Sequence, residues 1–321
     1  MQSEGSEKVE SGVARYNKTG AGSKRLQRYT LATIMGNTIV YGFLLLLFIV
    51  TFFPFWHIFV LSLNDASTPT YGQFMLWPRD FSLDSYKTVL QDAEILNSVV
   101  VTVGRTVIGV PLTLACVSML AYALSKRELI GWRSINLFFV FTMYFSGGLI
   151  PSYMVIRSLN LIDSFWVFIF PGIMSVFWMI LVRTYMEGLP KEMEEAAQIE
   201  GANDIQIFLK IIIPVCTPVL ATITLFSAIS HWNAWYDSYI YTYDASLKTL
   251  SAVLVKILNQ FQTNDMLSAA QQLAKEQRKL PVSSESIRMT VTMVATLPII
   301  LVYPLLQKYL LKGMLIGAVK G

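Results

Sequence analysis

Six long apolar stretches follow one another along the chain, separated by shorter polar segments. A helix of about 20 apolar residues is long enough to cross the hydrocarbon layer of a membrane. Lipid offers the backbone no hydrogen-bond partners, and none of the stretches alternates like a barrel strand, so each stretch is predicted to be helical. The predicted spans are 37–63, 97–124, 135–156, 165–182, 211–229 and 289–310.

Composition supports this prediction of an all-α membrane protein with six transmembrane helices. Of the 321 residues, 54% are hydrophobic and only 14% are charged, whereas soluble domains have about 25% charged residues. The net charge of +4 could suggest nucleic acid as a partner. The basic residues, however, lie at the ends of apolar stretches, as topology determinants do, so no nucleic acid is expected to bind.

The distribution of Lys and Arg predicts that both termini lie in the cytoplasm. About fifteen of the 25 basic residues fall on the inner side if the amino terminus is inside, and the short outer loops carry few. The first apolar stretch is too long for a signal peptide and is expected to remain uncleaved. The chain then consists of a cytoplasmic tail 1–36, a transmembrane domain 37–310 in contact with lipid, and a cytoplasmic tail 311–321, as a multi-pass protein of the inner membrane.

Two segments between the spans are long. The outer loop 236–287 has apolar residues at helical spacing from Leu247 to Phe261, which predicts an amphipathic helix on the outer face. The polar piece 269–279 is expected to form a second surface helix or a loop. The loop 187–214, on the cytoplasmic side, contains the densest group of charges between two spans.

The cytoplasmic loop has the sequence pattern of two short helices joined by a turn. Pro190 suits the first turn of the first helix, and acidic residues, Glu194 and Glu195 among them, favour its positive end. Ala196 and Ala197 are small enough to permit close approach of another backbone. The remaining signals are a left-handed helix end at Gly201, a second helix capped by Asn203 or Asp204, and re-entry into the bilayer at Pro214.

The order of these residues resembles the coupling motif of permease subunits in ATP-binding-cassette (ABC) importers. The matching residues are Glu195-Ala196-Ala197, Gly201, Ile211 and Pro214, and Ile213 stands where the family has leucine. Further segments, 97–98, 121–125, 146–151 and 232–235, are similar to carbohydrate-uptake permeases related to the six-span maltose permease subunit. Within that group, 146–148 and the long outer loop look most like permeases for oligosaccharides and polysaccharide fragments, such as the alginate-importer type.

This resemblance implies the type I ABC importer permease fold and a set of partners. These are a homologous second permease, two ATP-binding subunits, an extracytoplasmic solute-binding protein and an oligosaccharide, neutral or acidic. The motif residues Glu194, Glu195, Ala196, Ala197, Gly201, Asp204 and Pro214 would couple the chain to an ATPase. By the same resemblance, the carboxyl-terminal Gly317, Lys320 and Gly321 would enter the ATPase interface.

The chain itself shows no motif for handling ATP. It has no G-x-x-x-x-G-K-[ST] sequence, so ATP and Mg²⁺ are expected on the partner ATPase and no cofactor is expected in this chain. Cys116 and Cys216 lie in apolar stretches and form no disulfide or metal pattern. His57 and His231, each beside a tryptophan near an outer span end, are interpreted as packing residues rather than metal ligands. No nucleophile setting indicates an enzyme.

Arg105 is the candidate residue of the translocation path, since a guanidinium inside a span is costly unless it faces water or an acid. Contact with substrate and an ion pair with a neighbouring helix remain equally open. Tyr144, Trp232 and Trp235 are candidates for stacking on sugar rings, although most aromatic residues at span ends belong to the interfacial belt. Two alternatives to the permease are an ion-coupled secondary transporter that works without an ATPase and a glycan-acting membrane enzyme.

Overall fold

The computed structural model describes residues 31–65, 75–265 and 284–318. Within these ranges the structure is helical apart from one isolated bridge between Asn64 and Phe81, which confirms the predicted class. In chain order the helices are α1 Leu31–Ser62, α2 Asp84–Gln91, α3 Ala93–Ser125, α4 Trp132–Tyr144, α5 Leu149–Ser158, α6 Val176–Glu187, α7 Glu192–Ile199, α8 Asp204–Ile207, α9 Thr217–Asn233, α10 Tyr236–Tyr241, α11 Leu250–Asp265 and α12 Ser284–Ala318. Shorter turns of helix are Phe165–Phe168, Phe170–Gly172, Phe208–Ile212, Ile213–Val215 and Ala245–Leu247.

The chain divides into two units, Met1–Phe55 and Trp56–Gly321. In the first unit the described residues 31–55 belong to α1, and the side chains described there are exposed except for that of Phe53. Because most of these side chains are apolar, their surface suits hydrocarbon rather than water. In the second unit the helices pack on α3, whose buried side chains contribute to three of its four apolar clusters.

Among the residues that the structure describes, three helices are long and apolar enough to cross a membrane without a break, namely Met35–Ser62, Ala93–Ser125 and Glu285–Val302. The third, fourth and fifth predicted spans are each a pair of shorter helices joined at a bend, so six spans are reached when each pair counts as one. The expectation of one helix per apolar stretch is therefore wrong for these three. Hydropathy reports the length of an apolar run and not where its backbone turns.

The third span bends most sharply. α4 ends at Tyr144, α5 begins at Leu149, and the two helices differ in direction by 116°. Gly148 adopts φ of +83°, a conformation that is open to glycine and strained for other residues. The glycine pair in this stretch therefore ends one helix and starts another, instead of lying inside a continuous span.

Proline accompanies the other two bends. In the fourth span, Pro171 lies in the turn Phe170–Gly172, and the helices on either side differ in direction by 49°. In the fifth span the bend is 78°, directly after the one-turn helix that contains Pro214. Proline has no N–H to donate to the preceding turn, so a helix breaks or bends there at low additional cost.

The two ends of α3 pack into different apolar clusters. Towards its carboxyl end, Val117, Ala121 and Leu124 are buried against α6, α7 and α9. Towards its amino end, Ile95 is buried with residues of α2, α11 and α12, among them Leu250 and Val253. The predicted amphipathic helix is thus present as α11, and its apolar face packs on neighbouring helices instead of lying free on the outer surface. The segment 269–279 lies outside the described residues.

α3 and α9 come closest where the ring of His231 lies against Gly109. A Cβ atom added at Gly109 would come within 2.7 Å of His231 Cε1 and Nε2. His231 is buried, so its ring has little room to withdraw. The glycine therefore permits this helix crossing.

The substitution Gly109→Ala is expected to destabilise the protein by about 1–3 kcal/mol, because it overpacks a filled interface. The thermal unfolding midpoint of the detergent-solubilised protein should fall by a few degrees. Gly104→Ala is the matched control on the same helix, since the added Cβ would meet the Phe165 ring at an ordinary 3.5 Å. Equal destabilisation by the two changes would contradict this account of the crossing.

Candidate functional site

α7 carries the charged motif and has one buried and one exposed face. Ala197 is 7% exposed and packs in a cluster with buried residues of α6 and α9, Val182 and Ile223 among them. On the opposite face Glu195 and Ala196 are exposed, and Ile199 is 88% exposed. Of the two motif alanines, only Ala196 is therefore available to a partner, while Ala197 fixes the helix to its own bundle.

The turn after α7 has the predicted left-handed glycine. Gly201 has φ of +85°. Its N–H donates to the carbonyl of Gln198 at 3.0 Å, and the N–H of Ala202 donates to the carbonyl of Ala197 at 3.0 Å. This pair of bonds is the Schellman motif, which satisfies the last carbonyls of a helix and sets a tight reversal of the chain.

α8 begins with a reciprocal cap. Asn203 Oδ1 accepts from the N–H of Gln206 at 2.9 Å, and Gln206 Oε1 accepts from the N–H of Asn203 at 3.1 Å. Asn203 is therefore the cap, and Asp204 is the first helical residue, exposed at the positive end of the helix. Past α8 the chain continues through Phe208–Ile212 to Pro214, which is exposed just before the bend into α9.

The motif is connected to the end of α3 by an ion pair and by contact between two aromatic rings. The ammonium of Lys126 forms an ion pair with the carboxylate of Glu194. The same ammonium lies 4.8 Å from the centre of the Tyr122 ring, which is 5.1 Å from the ring of Phe208. Partial burial lowers the pKa of Lys126, while Asp204 and other nearby carboxylates oppose this shift.

Arg105 lies in the amino-terminal half of α3, 20 residues before Ser125, and is 2% exposed. Its Nη2 and Nη1 donate to the two carboxylate oxygens of Asp237 at 2.5 and 3.1 Å. Nη1 also donates to the carbonyl of Ala234 at 3.3 Å, and Nη2 to that of Phe168 at 3.4 Å. Of the two interpretations of Arg105 from the sequence, the structure shows the ion pair with a neighbouring segment. In this arrangement the Nη1 and Nη2 donor groups of Arg105 are directed to Asp237 and to two backbone carbonyls, not to an open surface.

An open groove of about 540 Å³ adjoins this ion pair at the end of α9. Its polar and aromatic side chains can form hydrogen bonds and stack on a flat ligand. The lining residues are Ile229, Ser230, Asn233, Ala234, Trp235, Tyr236 and Asp237. Chemically, such a surface suits a sugar, which presents hydroxyl groups at its edge and an apolar face to an aromatic ring.

Comparison with known proteins shows extensive similarity along the chain. The polygalacturonan/rhamnogalacturonan transport system permease protein YtcP of Bacillus subtilis is 36% identical over 285 residues, covering 88% of this chain and 97% of the relative. The chain belongs to the permease subunits of ABC importers. No family model matches the chain.

A solved structure agrees with this assignment. A chain from the crystal structure of a bacterial ABC transporter involved in import of the acidic polysaccharide alginate matches the permease with a TM-score of 0.76 and 31% identity, covering 88% of this chain and 98% of that one. The melibiose/raffinose/stachyose import permease protein MelC of Bacillus subtilis is a more distant relative, 26% identical over 277 residues, covering 84% of this chain and 92% of the relative. The expected type I importer fold is thereby confirmed, and an ion-coupled secondary transporter is not favoured.

Two of the aromatic candidates lie away from the groove of the permease. The indole N–H of Trp232 donates to the carbonyl of Ala295 at 2.9 Å, and its ring packs with the cluster around Val89 and Ile95. Trp232 is half-buried and packs on its own bundle, and a stacking role for it stays a prediction. Tyr144 is 81% exposed at the end of α4 and does not line the groove, whereas Trp235 does.

The histidines and cysteines of the permease have surroundings typical of packing. His231 lies on Gly109, and His57 Nδ1 is 3.4 Å from the carbonyl oxygen of Met75. Within the ranges that the structure describes, no three His, Cys, Asp or Glu residues form a group that could hold a metal ion. Cys216 is buried and Cys116 half-buried, both as free thiols.

The predicted tail residues are only partly described. Gly317 lies in the last turn of α12, and Lys320 and Gly321 lie outside the described residues. Their contact with an ATPase stays a prediction.

Sequence reasoning did not assign Asp237 and Lys126 the roles that the structure gives them. A signal for Asp237 existed, because an arginine within an apolar span requires a carboxylate at a similar depth. Lys126 was interpreted only as a topology residue. It pairs with Glu194, which lies 68 positions further along the chain, and no local pattern predicts a contact at that separation.

Because no described atom lies within 4 Å of a Cβ added at Gly201, a substitution there affects only the backbone conformation. Gly201→Ala is expected to cost about 1 kcal/mol, whereas asparagine accepts left-handed φ more readily. Amide exchange across α7, followed by mass spectrometry, should accelerate about fivefold in Gly201→Ala and much less in Gly201→Asn. Equal acceleration in the two variants would show that the left-handed turn is not what holds α7.

Proposed function

We propose that the protein is the permease subunit of an ATP-driven, binding-protein-dependent importer of an oligosaccharide or polysaccharide fragment. It would form half of the translocation path together with a homologous second permease. Two ATP-binding subunits would hold ATP and Mg²⁺ and carry out hydrolysis, so this chain would be non-catalytic and without a cofactor. An extracytoplasmic solute-binding protein would deliver the sugar.

The observation that carries this proposal is the two-faced packing of α7. Glu195 and Ala196 lie on its exposed face, and large apolar side chains are exposed on the same helix and on the two helical segments that follow. These are Ile199, Ile205 and Leu209. A helix with an acidic first turn and exposed apolar side chains has the properties of a docking surface for a soluble protein. In the proposed importer, this surface would dock into a cleft of the ATPase.

The buried side of α7 provides the mechanical connection that coupling requires. Ala197 packs with residues of α3, α6 and α9, and the ion pair between Lys126 and Glu194 adds a second link to α3. When ATP binding closes the ATPase dimer and hydrolysis reopens it, α7 would move as a rigid lever. Its displacement would reach three spans directly, which supports a switch between outward and inward access.

Topology follows from the same proposal. α7 would face the cytoplasm, as would both termini, in a multi-pass protein of the cytoplasmic membrane. Gly317, Lys320 and Gly321 would lie near the ATPase interface, as the resemblance implies. The groove at the end of α9 would then open towards the outer side, because it lies at the opposite end of α3 from α7.

The sugar class is supported by the groove and by the relatives. Trp235 and Tyr236 offer stacking surfaces, and Ser230 and Asn233 offer hydrogen bonds. One relative is named for polygalacturonan and rhamnogalacturonan, a solved neighbour for alginate, and another relative for melibiose, raffinose and stachyose. Both acidic and neutral sugars are therefore open as substrates of this chain.

Charge reversal at the docking surface tests the function. In the complete importer reconstituted in vesicles, Glu195→Lys is expected to lower sugar uptake at least about tenfold and to reduce copurification of the ATPase, since like charges at an interface are strongly unfavourable. Membrane insertion should not change, because Glu195 is exposed.

Asp84→Lys is the matched control, since it reverses an exposed carboxylate on α2, at the other end of α3. It should leave uptake and copurification unchanged. Normal uptake by Glu195→Lys, or uptake by the isolated chain driven by an ion gradient, would reject the proposed coupling.

A further inference from the structure

The carbonyl groups at the end of α9 are held by side chains from other elements. Ser251 Oγ donates to the carbonyl of Trp232 at 2.9 Å, and Thr249 Oγ1 donates to that of Ala234 at 3.2 Å. Arg105 Nη1 makes a second bond to Ala234. These donors replace the water that a helix end normally uses, so the backbone between α9 and α10 has a fixed position.

α10 is fixed at its other end as well. Lys248 Nζ donates to the carbonyl of Ser238 at 3.1 Å and to the carbonyl of Thr242. The N–H of Thr249 donates to Ser238 Oγ at 3.1 Å. The groove wall that carries Trp235 and Tyr236 is therefore built on a backbone clamped on both sides.

The aromatic rings on this wall form an exposed group. The ring centre of Trp235 lies 5.9 Å from that of Tyr236 and 6.1 Å from that of Tyr239, both at steep interplanar angles. All three side chains are exposed, so their faces remain available to a ligand. The position and orientation of these rings depend on the backbone turn between α9 and α10, where Arg105 donates to the carbonyl of Ala234.

The charge of the groove is set by the same ion pair. None of its seven lining residues is basic, and its one carboxylate belongs to Asp237. The side chain of Asp237 is 24% exposed, whereas that of Arg105 is 3% exposed behind it. The two charges compensate each other at close range, so the groove presents little net charge to a sugar.

We infer that Asp237 is a specificity-determining residue, which masks the charge of Arg105 so that this groove selects sugar rings by stacking and hydroxyl contacts and not by carboxylate binding. Arg105 is the corresponding positioning residue, since it touches the wall and not the sugar. The inference rests on the proposed function. The inference implies that this subunit would hold an acidic polysaccharide through contacts with its sugar rings. The carboxylates of the polysaccharide would be compensated by other subunits of the complex.

The test uses two probes with the same sugar rings, trigalacturonate and its fully methyl-esterified form, in which neutral methyl esters replace the carboxylates. Their affinities are measured for the complete importer in lipid vesicles, and the readout is the ratio of affinities for the acidic and the esterified probe. Asp237→Asn exposes an uncompensated positive charge and should raise this ratio about three- to tenfold, as expected for one charge near the ligand. Arg105→Met leaves a negative charge and should lower the ratio by a similar factor.

The two variants should change the affinity ratio in opposite directions. This outcome separates charge masking from a structural effect, because general damage to the wall lowers the affinity for both probes together and leaves their ratio unchanged. In the double variant Arg105→Met/Asp237→Leu the pair is removed without leaving a charge, and the ratio should return to the wild-type value even if both affinities fall. If Asp237→Asn does not fold, Arg105→Met and the double variant still decide the sign. Lys256→Met, which removes a charge from the exposed pair with Glu94, is the control and should not change the ratio.

Equal changes for both probes in every variant would overturn the inference and leave the proposed function intact. Binding of neither probe by the wild-type complex would reject this sugar class as the ligand of the groove, and with it both the inference and that part of the proposed function.

Discussion

The backbone carbonyl groups at helix ends need hydrogen-bond donors, and in an apolar surrounding water cannot supply them. At several helix ends of this permease, side chains take over this task. Arg105 donates to the carbonyls of Phe168 and Ala234, at the beginning of the fourth span and the end of the fifth. The indole N–H of Trp132 donates to the carbonyl of Leu124 at 2.7 Å, at the end of α3. These bonds satisfy backbone carbonyls that lie at or near the ends of helices and would otherwise need water.

α3 connects the two regions that the proposed transport cycle would use. Its Arg105 lies behind the groove, and its end at Lys126 is paired with the motif helix α7. The two contacts are 21 positions apart, and the chain between them belongs to α3 up to its end at Ser125, so a displacement of α7 need not pass through a flexible loop to reach the groove. The three bends lie in other spans.

Charged side chains are exposed at the motif helices but buried and paired beside the groove. At α7 and α8, the carboxylates of Glu195 and Asp204 are exposed and so are accessible to a partner protein. At the groove, the guanidinium of Arg105 is buried, and the carboxylate of Asp237 compensates its charge within the chain. A buried arginine paired on one side only would be costly, so Asp237 is required for stability whatever it contributes to selection.

The sequence by itself determined the class, the six apolar stretches, the local turn chemistry at Gly201 and Asn203, and the resemblance to importer permeases. Each of these depends on local composition or on short-range spacing. Only the tertiary structure decided that Arg105 pairs with Asp237, that Trp232 packs inward while Trp235 lines the groove, and that Ala197 is buried beside the exposed Ala196. These outcomes depend on the bends of three spans and on residues more than a hundred positions apart, such as Arg105 and Asp237, for which hydropathy and periodicity carry no information.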